Sequence, residues 1–157
     1  MNQSEVAGRT VVLGADEAST VVDDLDRLLT DLGFNVVLIG PPAGTDEAWA
    51  EVGLKVGNMV ADGDAAFGVV ACWTGTGVAI AANKVPGVRA ALVTDAETAR
   101  GARRWNDANV LAVSLRLLTP ALASEIVGAW VATEVDPSEL GNIALVEPTT
   151  TTSTKHG

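Results

Sequence analysis

The chain has 157 residues, 48% of them hydrophobic, which suits one compact domain with a single core rather than two. A formal net charge of −10 repels polyanions, and no concentrated basic patch offsets it, so nucleic acid is excluded as a partner. One cysteine, Cys72, excludes an internal disulfide, and with no apolar leader or membrane-length apolar run the expected setting is a reducing cytoplasm, with no membrane partner.

The first eight residues carry no periodic pattern and are expected to be loose. From Thr10, the apolar run Thr10-Val11-Val12-Leu13 reads as a strand ending in Gly14-Ala15-Asp16. Val21, Val22, Leu25, Leu28, Leu29 and Leu32 then recur at helical spacing up to Gly33. Asn35 to Ile39 predicts a second buried strand, closed by Gly40-Pro41-Pro42, and Trp49, Val52, Val56, Met59 and Val60 mark a second amphipathic helix. Phe67 to Ala71 is the third strand, followed by a Gly/Thr loop and a helix over about 77–84. Ala90 to Val93 and Val110 to Val113 predict two more strands around a helix across 96–105, and a last helix runs from Pro120 to about Thr133. Strand–helix alternation with continuous apolar strands means an α/β fold: a three-layer, Rossmann-like sandwich around a mostly five-stranded parallel sheet, with the domain spanning 9–135. Beyond Asp136 the pattern decays, so 136–157 is expected to be an extension ending in a flexible Thr-rich tail.

Ligands of such sheets bind at the carboxyl ends of the strands, where helix N-termini leave free backbone N–H groups. Those ends carry Asp16, Cys72, Thr94-Asp95 and Ser114-Leu115-Arg116. The segment Cys72-Trp73-Thr74-Gly75-Thr76-Gly77 puts a thiol at the end of a buried strand, before a glycine loop that opens a helix. Glycines let backbone approach an anion, and a helix N-terminus favours both a thiolate and a developing oxyanion, which outlines a proton-transfer site. A lone thiol is otherwise an inert core residue. Gly75-Thr76-Gly77-Val78-Ala79-Ile80 begins like a dinucleotide fingerprint, but it follows the third strand and has Ile where a small residue belongs. No P-loop ending is present, and the only histidine, His156, lies in the tail, so no metal site is expected. Lys84, Arg89, Arg100, Arg103, Arg104 and Arg116 form a central basic stretch that suits either a small anion or ordinary solvated helix surface.

Cys72 to Gly77, Ile80-Ala81-Ala82-Asn83-Lys84-Val85-Pro86-Gly87-Val88-Arg89-Ala90-Ala91 and Asn106-Asp107-Ala108-Asn109-Val110-Leu111-Ala112, with Gly14-Ala15-Asp16, together resemble the ribose-5-phosphate isomerase B/galactose-6-phosphate isomerase family over about residues 10–133. The resemblance implies a homodimer or dimer of dimers with active sites at the subunit interface. It also implies interconversion of aldose and ketose phosphates through a cis-enediolate, without metal or organic cofactor. One branch of the family has its base where Cys72 stands, another a glutamate at the position of Val78, and this sequence fits the cysteine branch. Carried over, Cys72 moves the proton while the Thr74 hydroxyl and the N–H groups from Thr74 through Gly75, Thr76, Gly77, Val78 and Ala79 hold the enediolate oxygen. Asp16 and Asn106 match substrate-hydroxyl and ring-handling positions, and Arg116 a phosphate-binding arginine.

Several family positions differ. Glu17 and Trp105 stand where histidines are usual, the C-terminal arginine pair has no counterpart in 138–143, and the Tyr-Pro expected near Asp46-Glu47 is missing. Losing the ring-opening histidine suits a substrate that is already open-chain. A four-carbon sugar phosphate qualifies, because the oxygen that would close a furanose carries the phosphate. A five- or six-carbon sugar with another ring-opening group is the alternative. Trp73 and Trp105 either line the substrate pocket or pack at the dimer interface. Glu17, counted with Asp16 among the substrate-binding positions, is either a second acid–base group or, the favoured reading, a first-turn helix acid. Arg103 and Arg104 either replace the lost phosphate clamp or form surface ion pairs. The rival reading of the whole chain is a non-catalytic sugar-phosphate-binding or partner subunit of the same family, with a nucleotide-binding regulator more remote.

Overall fold

The computed structural model describes Met1 and residues 3–147. The flexible-tail expectation and His156 therefore lie outside the described residues. Five strands, β1 (Thr10–Ala15), β2 (Asn35–Ile39), β3 (Phe67–Cys72), β4 (Ala90–Leu92) and β5 (Val110–Ser114), form one parallel sheet in the order β2-β1-β3-β5-β4. The helices are α1 (Gln3–Val6), α2 (Thr20–Asp31), α3 (Trp49–Ala61), α4 (Thr76–Asn83), α5 (Ala96–Asn106), α6 (Pro120–Ala132) and α7 (Leu140–Val146).

Alternation along the strands divides the core in two. Val11, Leu13, Val69, Ala71, Leu111 and Val113 face one layer with Val22, Leu25 and Leu29 of α2 and with α5 and α6, where Trp130 is buried against Phe67. Val12, Val70, Cys72, Val110 and Ala112 face the other layer, α3 and α4. That second layer packs closely because glycines meet it. A side chain at Gly53 would lie 2.6 Å from the Ala81 Cβ, and one at Gly14 would lie 2.7 Å from both Val52 and Val56. The expected α/β/α sandwich is thus the fold, and α4 is held tightly against α3 beside the third strand.

Some expectations need correcting. The second strand was expected to be buried, but β2 is an edge strand, exposed at Asn35 and only half-buried beyond it. An unbroken apolar run reads the same whether one neighbour or two flank it. β4 is the other edge and only three residues long. Residues 1–8, expected to be loose, include α1, whose Val6 is 3% exposed and joins the core. Beyond Asp136 the pattern does not simply decay. Asp136 accepts hydrogen bonds from the Ser138 N–H and hydroxyl, starting a 3-10 turn (Pro137–Glu139) that runs into α7. Leu140 and Val146 of α7 remain more than half exposed, so little burial marked this helix in the sequence. No helix among the described residues is long and apolar enough to cross a membrane.

Candidate active site

The chain leaves β1 to form β2 on one side and returns to form β3 on the other, which opens a crevice above the carboxyl ends of β1 and β3. Strand register aligns the ends. Ala15 pairs with Ala71, so Asp16 and Cys72 leave neighbouring strands at the same level, and Cys72 pairs with Ser114 of β5. Cys72 is 6% exposed and belongs to the cluster that includes Val78 and Ala79, so its thiol lies on the α4 side of the sheet beneath the helix's first turn.

The connection from Cys72 to α4 is built to leave donors open. α2, α5 and α6 begin on Ser19, Asp95 and Thr119, each of which accepts a hydrogen bond from a first-turn N–H. Asp95, expected at a strand end near the site, is thereby a cap, its carboxyl held below the usual range by the Thr98 N–H. α4 begins on Gly75, which has no side chain to cap it. The N–H groups of Thr74, Gly75, Thr76, Gly77 and Val78 have no acceptor among the described residues; the first helical bond runs from Ala79 N–H to the Gly75 carbonyl. Gly75 reaches this geometry with φ +75, and a side chain there would lie 2.8 Å from the Val113 carbonyl carbon. The Thr74 and Thr76 hydroxyls hydrogen-bond each other at 2.7 Å, and Trp73 is 62% exposed. Five consecutive N–H groups without acceptors thus stand open at a helix N-terminus beside a thiol, a place where an anion could be held.

The end of β5 braces this loop from behind. The Leu115 N–H donates to the Cys72 carbonyl (3.0 Å), while the Arg116 N–H (3.2 Å) and the Ser114 hydroxyl (2.8 Å) donate to the Trp73 carbonyl. Arg116 is exposed, and no acidic group among the described residues pairs with it. A second neighbour was missed in the sequence. Trp49, expected to mark a core helix face, is 46% exposed, and its ring lies over Gly77, where any side chain would come within 2.8 Å of it. Glu47 itself pairs with Lys55, whose ammonium, with the Thr45 hydroxyl, holds the carboxyl down to about 2.

Asp16 is half-buried, and burial pushes its carboxyl above the ordinary 3.8, partly opposed by a hydrogen bond from its own backbone. A raised acid holds its proton better folded than unfolded. Its favourable contribution is therefore full below pH 3.8 and is lost as pH rises through the higher folded value. Asp16→Asn is thus expected to raise Tm by roughly one or two degrees at pH 7 and by nothing near pH 3, while activity falls. Thermal unfolding across that range checks it. Glu17 is exposed and lies two residues before the Ser19 cap, outside the first turn of α2, whose acid is Asp23. The first-turn role expected of Glu17 is therefore corrected.

Asn106 and Trp105 do not join this group within one chain. They end α5, before β5 begins, and so sit at the amino edge of the sheet, roughly 15 Å of strand away from Cys72. Both line a cavity of about 560 Å³ whose other walls include Ala90 and Ala91 of β4 and Asn142, Ile143 and Val146 of α7. Much of the motif around them maintains architecture. Asn83 pairs with both the N–H and the carbonyl of Ala90, and Asn109 holds the Gly87 carbonyl and the Arg89 N–H. Arg89 pairs with Asp107 and Glu147. Arg103 pairs with Asp107 and lies 5.6 Å over the Trp130 ring. Arg104 is exposed beside Asp136.

A family model described as ribose/galactose isomerase matches residues 11–143. The chain is 34% identical over 135 residues to the D-erythrulose-4-phosphate isomerase of Pectobacterium atrosepticum, covering 81% of this chain and 85% of that one. It is 30% identical to the ribose-5-phosphate isomerase B of Escherichia coli, covering 82% and 87%. Among solved structures, the ribose-5-phosphate isomerase B of Clostridium thermocellum superposes with a TM-score of 0.81 at 33% identity, covering 87% of this chain and 94% of that one.

Proposed function

Since this chain belongs to the ribose/galactose isomerase family and is a sugar-phosphate isomerase of that kind, we propose that it interconverts an aldose and a ketose of an open-chain four-carbon sugar phosphate, with Cys72 as the base. The observation that carries this reading is the row of five unpartnered N–H groups, Thr74 to Val78, next to the thiol at the end of β3. Deprotonating a carbon beside a carbonyl puts negative charge on oxygen, and preorganised donors aimed at that charge are the most effective stabilisers a protein offers. The Cys72 thiolate takes the proton from the carbon next to the carbonyl, giving a cis-enediolate whose oxygen the N–H row and the Thr74 hydroxyl hold. The same thiol returns the proton to the neighbouring carbon. Asp16, leaving β1 at the level of Cys72 and with its proton affinity raised by burial, carries the hydroxyl proton from one oxygen to the other. Arg116, free of any acidic partner among the described residues, takes the phosphate.

Two findings favour four carbons. Trp105 stands where a ring-opening histidine would, and an open-chain substrate needs none. The relative from Pectobacterium atrosepticum also bears the name of a tetrulose-phosphate isomerase. Because Asn106 and Trp105 lie at the far end of the strands from Cys72, any part they play in catalysis comes from a second copy of the chain, as in a homodimer with sites at its interface. The decisive measurement is solvent deuterium incorporation at C1/C2, followed by NMR over four-, five- and six-carbon sugar phosphates. The reading predicts exchange into a tetrulose phosphate at least about ten-fold faster than into ribose 5-phosphate, a gap of the size pocket shape can produce. Faster turnover of ribose 5-phosphate would sink the four-carbon assignment, and no exchange with any sugar would favour a binding subunit.

A further inference from the structure

We infer that Ser114 is a positioning residue that aligns the anion hole and the Cys72 thiol with Arg116, an assignment that rests on the isomerase reading above. Ser114 is the single buried polar side chain among the described residues, 5% exposed at the carboxyl end of β5. Its hydroxyl donates to the Trp73 carbonyl at 2.8 Å. A trans peptide unit is planar, with its carbonyl and N–H pointing opposite ways. Fixing the Trp73 carbonyl against β5 therefore fixes the Thr74 N–H, the first donor of the open row, to point away from β5. Two further bonds complete the brace, Leu115 N–H to the Cys72 carbonyl and Arg116 N–H to the Trp73 carbonyl. Ser114 thus lies between the residue that moves the proton and the residue that holds the phosphate, and it touches neither the reacting carbons nor the phosphate itself. An apolar residue would fill this position with less cost of burial, and the bond to the Trp73 carbonyl is what offsets that cost.

The test uses the full chain with Ser114→Ala and Ser114→Thr. The alanine variant removes one oxygen and leaves the Trp73 carbonyl with the Arg116 N–H, so it orphans no acceptor and is expected to fold. The threonine variant keeps the hydroxyl and adds one methyl group next to the narrow crevice lined by Val93, Thr94, Leu117 and Leu118. Ser114→Ala is expected to lower kcat about ten-fold with KM within about two-fold, the pattern of misplaced groups rather than lost binding. Because Cys72 is the only thiol, its rate of alkylation by iodoacetamide reads the same displacement without any sugar, and a change of about three-fold or more is expected. Ser114→Thr, which keeps the hydroxyl, restores both. Wild-type kcat and alkylation in the alanine variant would overturn the assignment, as would a threonine variant as impaired as alanine at equal Tm. If Cys72→Ser turns over sugar phosphate at the wild-type rate, the thiolate reading fails while the Ser114 brace still stands or falls by alkylation. If no sugar is turned over, alkylation alone decides.

Discussion

Cys72→Ala is expected to reduce solvent exchange and turnover by roughly 10²–10⁴-fold while leaving the fold in place, since a positioned general base contributes a factor of that order. The cost to stability should be small, because the side chain is small and packs among Val70, Val78 and Ala79, which hold the α4 side of the sheet without it. KM should change little, because Arg116 and the open N–H row remain to bind the phosphate and the oxygen. Serine tests the chemistry more sharply, since it conserves shape and hydrogen bonding but gives up its proton far less readily, so Cys72→Ser should be nearly as slow as alanine. NMR-monitored exchange, with a phosphate-binding measurement on the same protein, separates the two roles. A variant that binds but does not exchange confirms the assignment, and one that exchanges normally moves the base elsewhere, to Asp16.

The central strands were legible because β1, β3 and β5 are short, largely apolar and β-branched runs that turn signals and helical patterns separate along the chain. The edge position of β2 was not, since which strands flank a run is decided by the crossovers and leaves no mark in the run itself. In the site, Cys72 and the glycine loop could be read from local sequence because strand end, glycine and helix start follow one another along the chain. Ser114 was placed at a strand end, but its contact with the loop, like that of Trp49, could not be read, because each meets the loop only through sheet order: α3 crosses back over β1 to reach Gly77, and β5 lies beside β3 through a crossover. The separation of Asn106 from Cys72 was available in principle. A residue that closes a helix and precedes a parallel strand must sit at the amino edge of the sheet, the end opposite to the strand tips.

Gly75→Ala is expected to damage both fold and site, through two separable effects. With φ at +75, any side chain costs about 1–2 kcal/mol of backbone strain. A Cβ there would also lie 2.6 Å from Leu92 Cδ1 and 2.8 and 2.9 Å from the Val113 carbonyl carbon and oxygen. Leu92 sits on the edge strand and can turn aside, but the Val113 backbone is locked in the sheet between β3 and β4, so the loop itself must move. Overpacking of this kind adds roughly 1–3 kcal/mol, for a combined loss near 2–5 kcal/mol and a fall in Tm of roughly 5–15 °C. Moving the loop also misaligns the N–H row, and a shift of about 1 Å in such donors is enough for roughly 10²-fold in kcat. Gly63→Ala is the control, since Gly63 has φ +80 but open space around it and lies at the far end of α3. It should show the strain alone, a drop of a few degrees with unchanged kcat. Equal kcat losses in the two variants would mean that general destabilisation, and not the geometry of the 74–78 donors, limits turnover.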